Sequence, residues 1–185
     1  MSVKEKKRGR PSRSQSQLTP DIIVSSARSL MQRNGKLPSI RQVSGELGVD
    51  PMAIYHYFSN KAALLEALTV SLIDDIYAPK VGGKWQVELE RLCKSYLELL
   101  KAHPGLLETL LTMNTFGPAQ RFSQRLTLAL APLQLTEMVF KEAQDLIVDY
   151  MHGVALAMQC NPDALSSDCI DGSLGLVCKA LEVSS

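Results

Sequence analysis

The chain has 185 residues, of which 45% are hydrophobic and only 5% aromatic, and its formal net charge is +1. That length suits one sizeable core or two small ones. No stretch is apolar enough to span a bilayer, and the lack of an apolar segment near Met1 argues against a secretory signal and for a cytoplasmic protein. The small total charge hides an asymmetry. Residues 1–61 carry 11 Lys+Arg against 4 Asp+Glu, net +7, and residues 62–185 carry 9 against 15, net −6. A basic end draws a protein onto phosphates by counterion release, while an acidic remainder is repelled and stays clear.

Residues 1–18 are basic, serine-rich and nearly free of apolar side chains, so they cannot bury enough surface to fold alone and read as a disordered arm. Within it Lys6, Lys7, Arg8, Gly9, Arg10 and Pro11 resemble the core of a minor-groove hook. Glycine there lets the backbone lie deep, and Arg8 and Arg10 would enter a narrow, electronegative groove. The alternative is a solubilising tail that merely follows phosphates, and either reading puts the arm on DNA.

A helix is expected over residues 19–34. The stretch that follows, SIRQVSGELGVDPMAIYHYFSNK over residues 39–61, encodes two short helices joined by a tight turn. Ser39 with Gln42 three residues later forms a capping box that satisfies the orphan donors of a helix start. Gly48 can take the left-handed conformation that ends that helix, and Asp50 followed by Pro51 caps and opens the next. Ile40, Val43 and Leu47 recur at helical spacing in the first helix, as do Ile54 and Phe58 in the second, so the two apolar stripes must meet. With Ile54 turned inward at about 100° per residue, Met52 and His56 point away from the core, flanked by Ala53 and Tyr55. Such a surface suits a major groove, where thymine methyls and base acceptors alternate. Tyr57 rotates back towards the core side, where packing and DNA contact are both open to it.

Residues 47–68, LGVDPMAIYHYFSNKAALLEAL, closely resemble the signature of the tetracycline-repressor (TetR) family of bacterial transcriptional regulators. The resemblance covers roughly the first third of the chain. It implies a homodimeric, ligand-responsive repressor whose recognition helix runs over residues 51–57, from Pro51 through Met52, Ala53, Tyr55 and His56 to Tyr57. Ser39 and Arg41 would open the preceding helix, and Lys61 the following one, with Arg41 and Lys61 holding phosphates or a base. The order His56-Tyr57 departs from the aromatic and histidine order common in the family. An activator of the same fold and a DNA-binding structural protein of low specificity are the alternatives.

Beyond residue 61 the pattern stays helical, so the fold class is all-α, with an N-terminal three-helix helix-turn-helix domain and a C-terminal helical domain. Leu64, Leu65, Leu68, Leu72 and Ile76 form a long stripe, a connecting helix over residues 61–77 able to transmit motion. Residues 79–84 break the pattern, and further helices are expected over 85–102, 106–113, 119–131, 137–160 and 167–183. The resulting division is an arm (1–18), a DNA-binding domain (19–61) with the start of the connector, and an effector-binding and dimerisation domain (78–185). The last two helices read as an association surface. Gly172 and Gly175 each cost a helix about 1 kcal/mol relative to alanine, which points to a partner backbone close by or to a bent helix. The stripe of Ile170, Leu174, Val177 and Leu181 favours the partner. A twofold pair would present two recognition helices about 34–36 Å apart to an inverted repeat of double-stranded DNA.

Any effector pocket falls to the middle helices. His103, Met113, Phe116, Gln124, Tyr150 and Met151, with Asn114, Thr115 and His152, sit near helix ends or on apolar stretches, as the few polar groups of a small-ligand cleft do. The only histidines are His56, His103 and His152, with no paired His or Cys spacing, so neither a metal nor a cofactor is expected beyond an unidentified small-molecule effector. Cys93, Cys160, Cys169 and Cys178 read as buried small hydrophobes in a reducing compartment. No phosphate-cradling loop, nucleophile elbow or zinc-hydrolase helix is present, and an enzyme is not expected.

Overall fold

The computed structural model describes residues 18–103, 105–113, 117–161 and 165–184. Arg8, Arg10 and Phe116, together with Asn114 and Thr115, lie outside these residues. Helix α1, Pro20–Asn34, is capped by Thr19, whose hydroxyl accepts from the Ile22 amide, and it ends at Gly35 with φ +63°. Helix α2, Ile40–Leu47, carries the expected capping box: the Gln42 amide donates to Ser39 Oγ at 3.3 Å and the Ser39 amide to Gln42 Oε1 at 2.8 Å. Gly48 closes it at φ +65°, a conformation that costs a side-chain-bearing residue strain. Helix α3, Pro51–Tyr55, starts from Asp50, whose carboxylate accepts from the Met52 amide at 2.8 Å. It is two residues shorter than expected, because the Tyr57 and Phe58 amides both turn onto the Ile54 carbonyl at 3.0 Å, which swings Phe58 into the core.

Helix α4, Lys61–Ile73, is capped by Asn60 and is the connector. It also ends short of the expected residue 77, in a turn through Ile76. Leu64, Leu68, Thr69, Leu72 and Ile73 are all buried, so this helix lacks a wide solvent face. The cause is its position: α1 packs on one side of it and α5 and α7 on the other. Residues 77–84 then make a loop organised by Glu88, whose carboxylate accepts from the Tyr77 hydroxyl and the Lys80 amide, each at 2.7 Å. The Lys80 bond first, then the Tyr77 bond, hold that carboxyl below its ordinary range. Gly83 presses so closely on Glu88 that a Cβ there would lie 2.8 Å from its Oε1.

The second group of helices is α5, Trp85–Ala102; α6, Leu106–Thr112; α7, Gly117–Leu130; α8, Glu137–Cys160; and α9, Asp171–Val183. Helix α5 is the central post, burying Leu89, Leu92, Cys93, Tyr96, Leu97 and Leu100 against α7 and α8. Gly117 and Pro118 open α7 rather than merely separating it from α6, since proline at a first turn has no amide to leave unpaired. The continuous helix expected over 167–183 is divided. Ser167–Ile170 is a tight 3-10 turn, begun by Ser166, whose hydroxyl accepts from the Asp168 amide, and Lys94 ties both halves to α5 through Asp168 at 2.8 Å and Asp171 at 2.9 Å.

Two side-chain expectations are corrected. Ile170, Leu174 and Leu181 are buried in the protomer's own core and Val177 packs beside them, so that stripe does not face a partner. The open face of α9 is the opposite one. Of the cysteines, Cys93 is buried and Cys178 half-buried, but Cys160 and Cys169 are exposed, because each ends or precedes an element at the rim where no helix covers it. Burial pushes the Cys93 thiol up to about 12, so it stays protonated.

Candidate functional site

Helices α1, α2 and α3 form the basic end around Ile23, Ala27, Met31, Val43 and Ile54, each 1% exposed or less. Ile54 turns fully inward and fixes the roll of α3. Its neighbours are thereby forced out: Met52 is 63% exposed and Tyr55 42%, His56 is exposed and Ala53 half-exposed. These side chains are left uncovered by the described residues, and together they make a projecting apolar and imidazole face. Ser39 lies half-buried at the start of α2, Pro51 half-buried at the start of α3, and Arg41 and Lys61 are exposed at the starts of α2 and α4. Neither cation forms an ion pair among the described residues, whereas Arg33 is held by Glu46 at 2.8 Å.

Tyr57 takes a place that periodicity alone left open. It is 43% exposed, and its hydroxyl donates to the Leu18 carbonyl at 2.6 Å. The chain therefore enters α1 beside the end of α3.

A second feature lies among the middle helices: a cavity of about 470 Å³ lined from five of them. Ile73 comes from the last turn of α4, Tyr96 from α5, Leu110 from α6 with Met113 just beyond its end, Pro118, Ala119 and Phe122 from α7, and Gln144, Asp145, Val148, Asp149 and His152 from α8. The Tyr96 hydroxyl and His152 Nε2 share a hydrogen bond of 2.8 Å, and the Phe122 ring stands 4.9 Å from that of Tyr96. Burial raises the Tyr96 pKa and lowers that of His152, against a smaller opposing pull from Asp149, so both are uncharged at neutral pH. Ser123 donates to Gln144 Oε1 at 2.6 Å, fixing α7 to α8 beside the cavity.

Of the residues singled out from sequence, Met113 and His152 line this cavity. Met151 is buried one residue away in the core, Tyr150 is half-buried beside it, and Gln124 is exposed on α7. His103 sits at the end of α5 near Arg28 and Asp75; its Nδ1 is buried without a hydrogen-bond partner, and burial first, then Arg28, lower its pKa. Tyr96, Phe122 and Asp149 carry no signal of their own in the sequence, because an aromatic on a core-facing stripe looks the same whether it meets packing or a void.

Arg125 is equally silent in the sequence, and its role is structural coupling. From α7 its guanidinium donates to the carbonyls of Ile73 at 2.8 Å, Asp74 at 2.7 Å and Ile76 at 2.5 Å, closing the end of α4. A cation is well placed at a helix C-terminus, where unpaired carbonyls concentrate negative potential. The same α4 end supplies Ile73 to the cavity, so the void and the connector share a wall.

These features define an all-helical protein with a helix-turn-helix head joined through one buried helix to a cavity-bearing body. The model for bacterial regulatory proteins of the tetR family matches residues 23–68, and that for the tetracyclin repressor-like C-terminal domain matches residues 78–167. The chain belongs to the tetR family. The HTH-type transcriptional repressor DrrR1 of Streptomyces coeruleorubidus is 30% identical over 155 residues, 79% of this chain. This chain spans 56% of that relative's length. Among solved structures, BioQ with its natural double-stranded DNA operator aligns at TM-score 0.73 and 19% identity over 90% of this chain and 99% of that one. Streptomyces coelicolor ActR in complex with (S)-DNPA aligns at TM-score 0.73 and 19% identity over 91% and 98%. Those two likenesses establish the shared fold. No helix among the described residues is long and apolar enough to cross a membrane.

Proposed function

We propose that this chain is a ligand-responsive transcriptional repressor that binds an inverted-repeat operator as a homodimer in the bacterial cytoplasm and is released by a small molecule. The observation that carries the reading is the contrast across one turn of α3: Ile54 fully buried, Met52, Tyr55 and His56 projecting. Residues 19–61 with the start of α4 would read DNA, residues 78–185 would bind effector and partner, and residues 1–18 would lie along the duplex from their root at Tyr57. Membership in a family of regulatory proteins supports this division, as do the operator-bound and ligand-bound members sharing the fold.

The partner surface is assigned to the outer faces of α8 and α9. Leu146, Gly153 and Ala157 lie on one line of α8, with Leu156 beside them, and Gly172, Leu176, Ala180 and Val183 share one face of α9, all exposed. A Cβ on Gly153 or Gly172 would meet nothing within 4 Å, so these glycines leave room for a helix from outside the protomer. Release follows from the shared wall. An effector that fits one arrangement of the cavity better moves Ile73 and α7 together, and Arg125 carries that displacement into α4 and the reading head.

Selection of bound duplexes from a random pool tests the function. Recovery of an inverted repeat with half-sites one or two helical turns apart is expected. Recovery of no consensus at all refutes it in favour of an unspecific DNA-binding protein.

A further inference from the structure

The cavity has a charge as well as a shape. Of its twelve lining side chains two are carboxylates, Asp145 and Asp149, and none is lysine or arginine. Asp145 is already matched, since Lys141 donates to it at 2.6 Å from one helical turn away. Asp149 forms no hydrogen bond or ion pair among the described residues. The nearest cations of the facing helix are engaged elsewhere: Arg125 on the carbonyls of Ile73, Asp74 and Ile76, and Arg121 on Asp74 at 3.7 Å.

One feature works in the other direction. The first turn of α7 borders the cavity through Pro118 and Ala119, and a helix N-terminus carries partial positive charge that favours anions. Glu66 of α4 lies against that same turn, its Oε1 2.9 Å from where a Cβ on Gly117 would stand. Its carboxylate occupies that helix end, and Asp149, exposed along the cavity wall, is left as the lining carboxylate without a hydrogen bond or ion pair among the described residues. Apolar and aromatic side chains, Ile73, Leu110, Met113, Phe122 and Val148 among them, line the cavity together with that charge.

We propose that the effector of this protein is an amphipathic organic cation, a flat or compact ring body carrying a protonated amine or quaternary nitrogen, whose charge sits at Asp149 while the rings lie against Phe122 and Tyr96. This rests on the cavity being the effector site. The arrangement uses three sources of affinity: apolar burial, the negative faces of two aromatic rings, and one unpaired carboxylate. The Tyr96 to His152 pair supplies a neutral donor and acceptor for a polar substituent on the same ligand. An anion of equal size would bring its charge to Asp149 without a counter-ion, and is rejected.

The test uses one tricyclic body in three charge states, titrated into full-length, nucleic-acid-free protein at about pH 8, where His152 is neutral. The probes are proflavine, a cation; acridine, uncharged; and acridine-9-carboxylate, an anion. Proflavine is expected to bind about ten-fold or more tighter than either of the others, a difference of about 1.4 kcal/mol. Asp149→Asn should erase that advantage and leave acridine unchanged. Ala119→Trp, at an exposed position on the cavity edge, should block every probe that enters the void. If acridine or its carboxylate binds as tightly as proflavine and Ala119→Trp blocks both, the cavity takes ligands but does not select cations, and this inference fails alone. If no probe binds, or binding ignores Ala119→Trp, the cavity is not the effector site and both readings fall.

Discussion

Ile54 and Tyr55 are neighbours in sequence and should fail in opposite ways when cut to alanine. Ile54 is fully buried among Ile23, Val43 and Phe58. Its truncation removes a buried branched side chain and leaves a void, a cost of about 2–5 kcal/mol. In a chain of this length that lowers the melting temperature by about 2–4 °C for each kcal/mol. Yet Ile54 projects nothing towards a duplex, so below the melting transition the folded fraction should still bind its operator with nearly native affinity. Tyr55, 42% exposed, should cost the fold only about 0.5 kcal/mol or less. Its removal deprives each half-site of a groove interaction at about 1–3 kcal/mol per mismatched position. Over two half-sites that is about 2–6 kcal/mol, on the order of 30-fold to 10,000-fold in affinity. Thermal melting by circular dichroism and fluorescence anisotropy on the selected duplex separate the two. A Tyr55→Ala protein that melts early, or one that holds DNA as the native protein does, refutes the assignment of α3 as the reading element, as does an Ile54→Ala protein that loses DNA well below its melting point.

Lys61→Ala should weaken binding to all duplexes alike and reduce the slope of log affinity against log salt by about 0.9 for each phosphate that is no longer neutralised, measured by anisotropy across a salt series. A Cβ at Gly153 meets nothing within 4 Å, so Gly153→Arg should keep helicity while light scattering shows the mass falling from dimer to monomer; a dimer that persists would place the partner surface elsewhere. Acidification gives a third outcome. Burial lowers the pKa of both His103 and His152, so below their ordinary value of about 6.5 the unfolded chain takes up protons that the folded chain refuses. Stability from this source is full above that pH and declines as pH falls through it towards the folded values. The lowered carboxyls of Glu88 and Asp168 lose their contribution only as pH falls through the ordinary carboxylate range and beyond it, below this window. His152→Gln should flatten the decline in melting temperature between about pH 7.5 and pH 5.5; an unaltered slope would show that His152 is equally protonated folded and unfolded.

The helix starts were legible because caps are local. Ser39 with Gln42, and Asp50 with Pro51, act on amides two or three residues away, and the hydrogen bonds form where the pattern places them. The projecting face of α3 was legible for a related reason, since one buried anchor at Ile54 sets the roll of every neighbour on a helix. What periodicity could not give was the side to which a two-sided helix turns. On α9 the stripe Ile170, Leu174 and Leu181 suits a partner by its pattern, but it closes the protomer's own core, and the opposite face, small and apolar through Gly172, Leu176 and Ala180, is the exposed one. Gly153 on α8 gives no signal, because one glycine in 24 residues of helix makes no pattern. The cavity was illegible for a deeper reason. Its wall combines residues from five helices, and no interval in the sequence encodes a void between them.

The same long-range character explains why Arg125 matters more than its polarity suggests. Helix α4 packs against both α1 and α7, and it gives way at its end to a turn in which the Ile76 amide donates to the Ile73 carbonyl at 3.2 Å. Three of the carbonyls at that end accept from a single guanidinium on α7, which ties α7 to the end of α4. Arg125→Met would keep much of the aliphatic packing but remove the guanidinium from those carbonyls, leaving Ile73 only its bond from the Ile76 amide. Because the clasp lies between the two regions and within neither, its removal should leave operator affinity and effector affinity each close to native while reducing the factor by which one ligand weakens the other. Linkage requires that reduction to appear equally in both directions, in effector binding measured with DNA and in DNA binding measured with effector. An Arg125→Met protein that keeps the full factor would show that the signal reaches the reading head by another route, and the remaining residue shared by that wall, Ile73, would be the place to look.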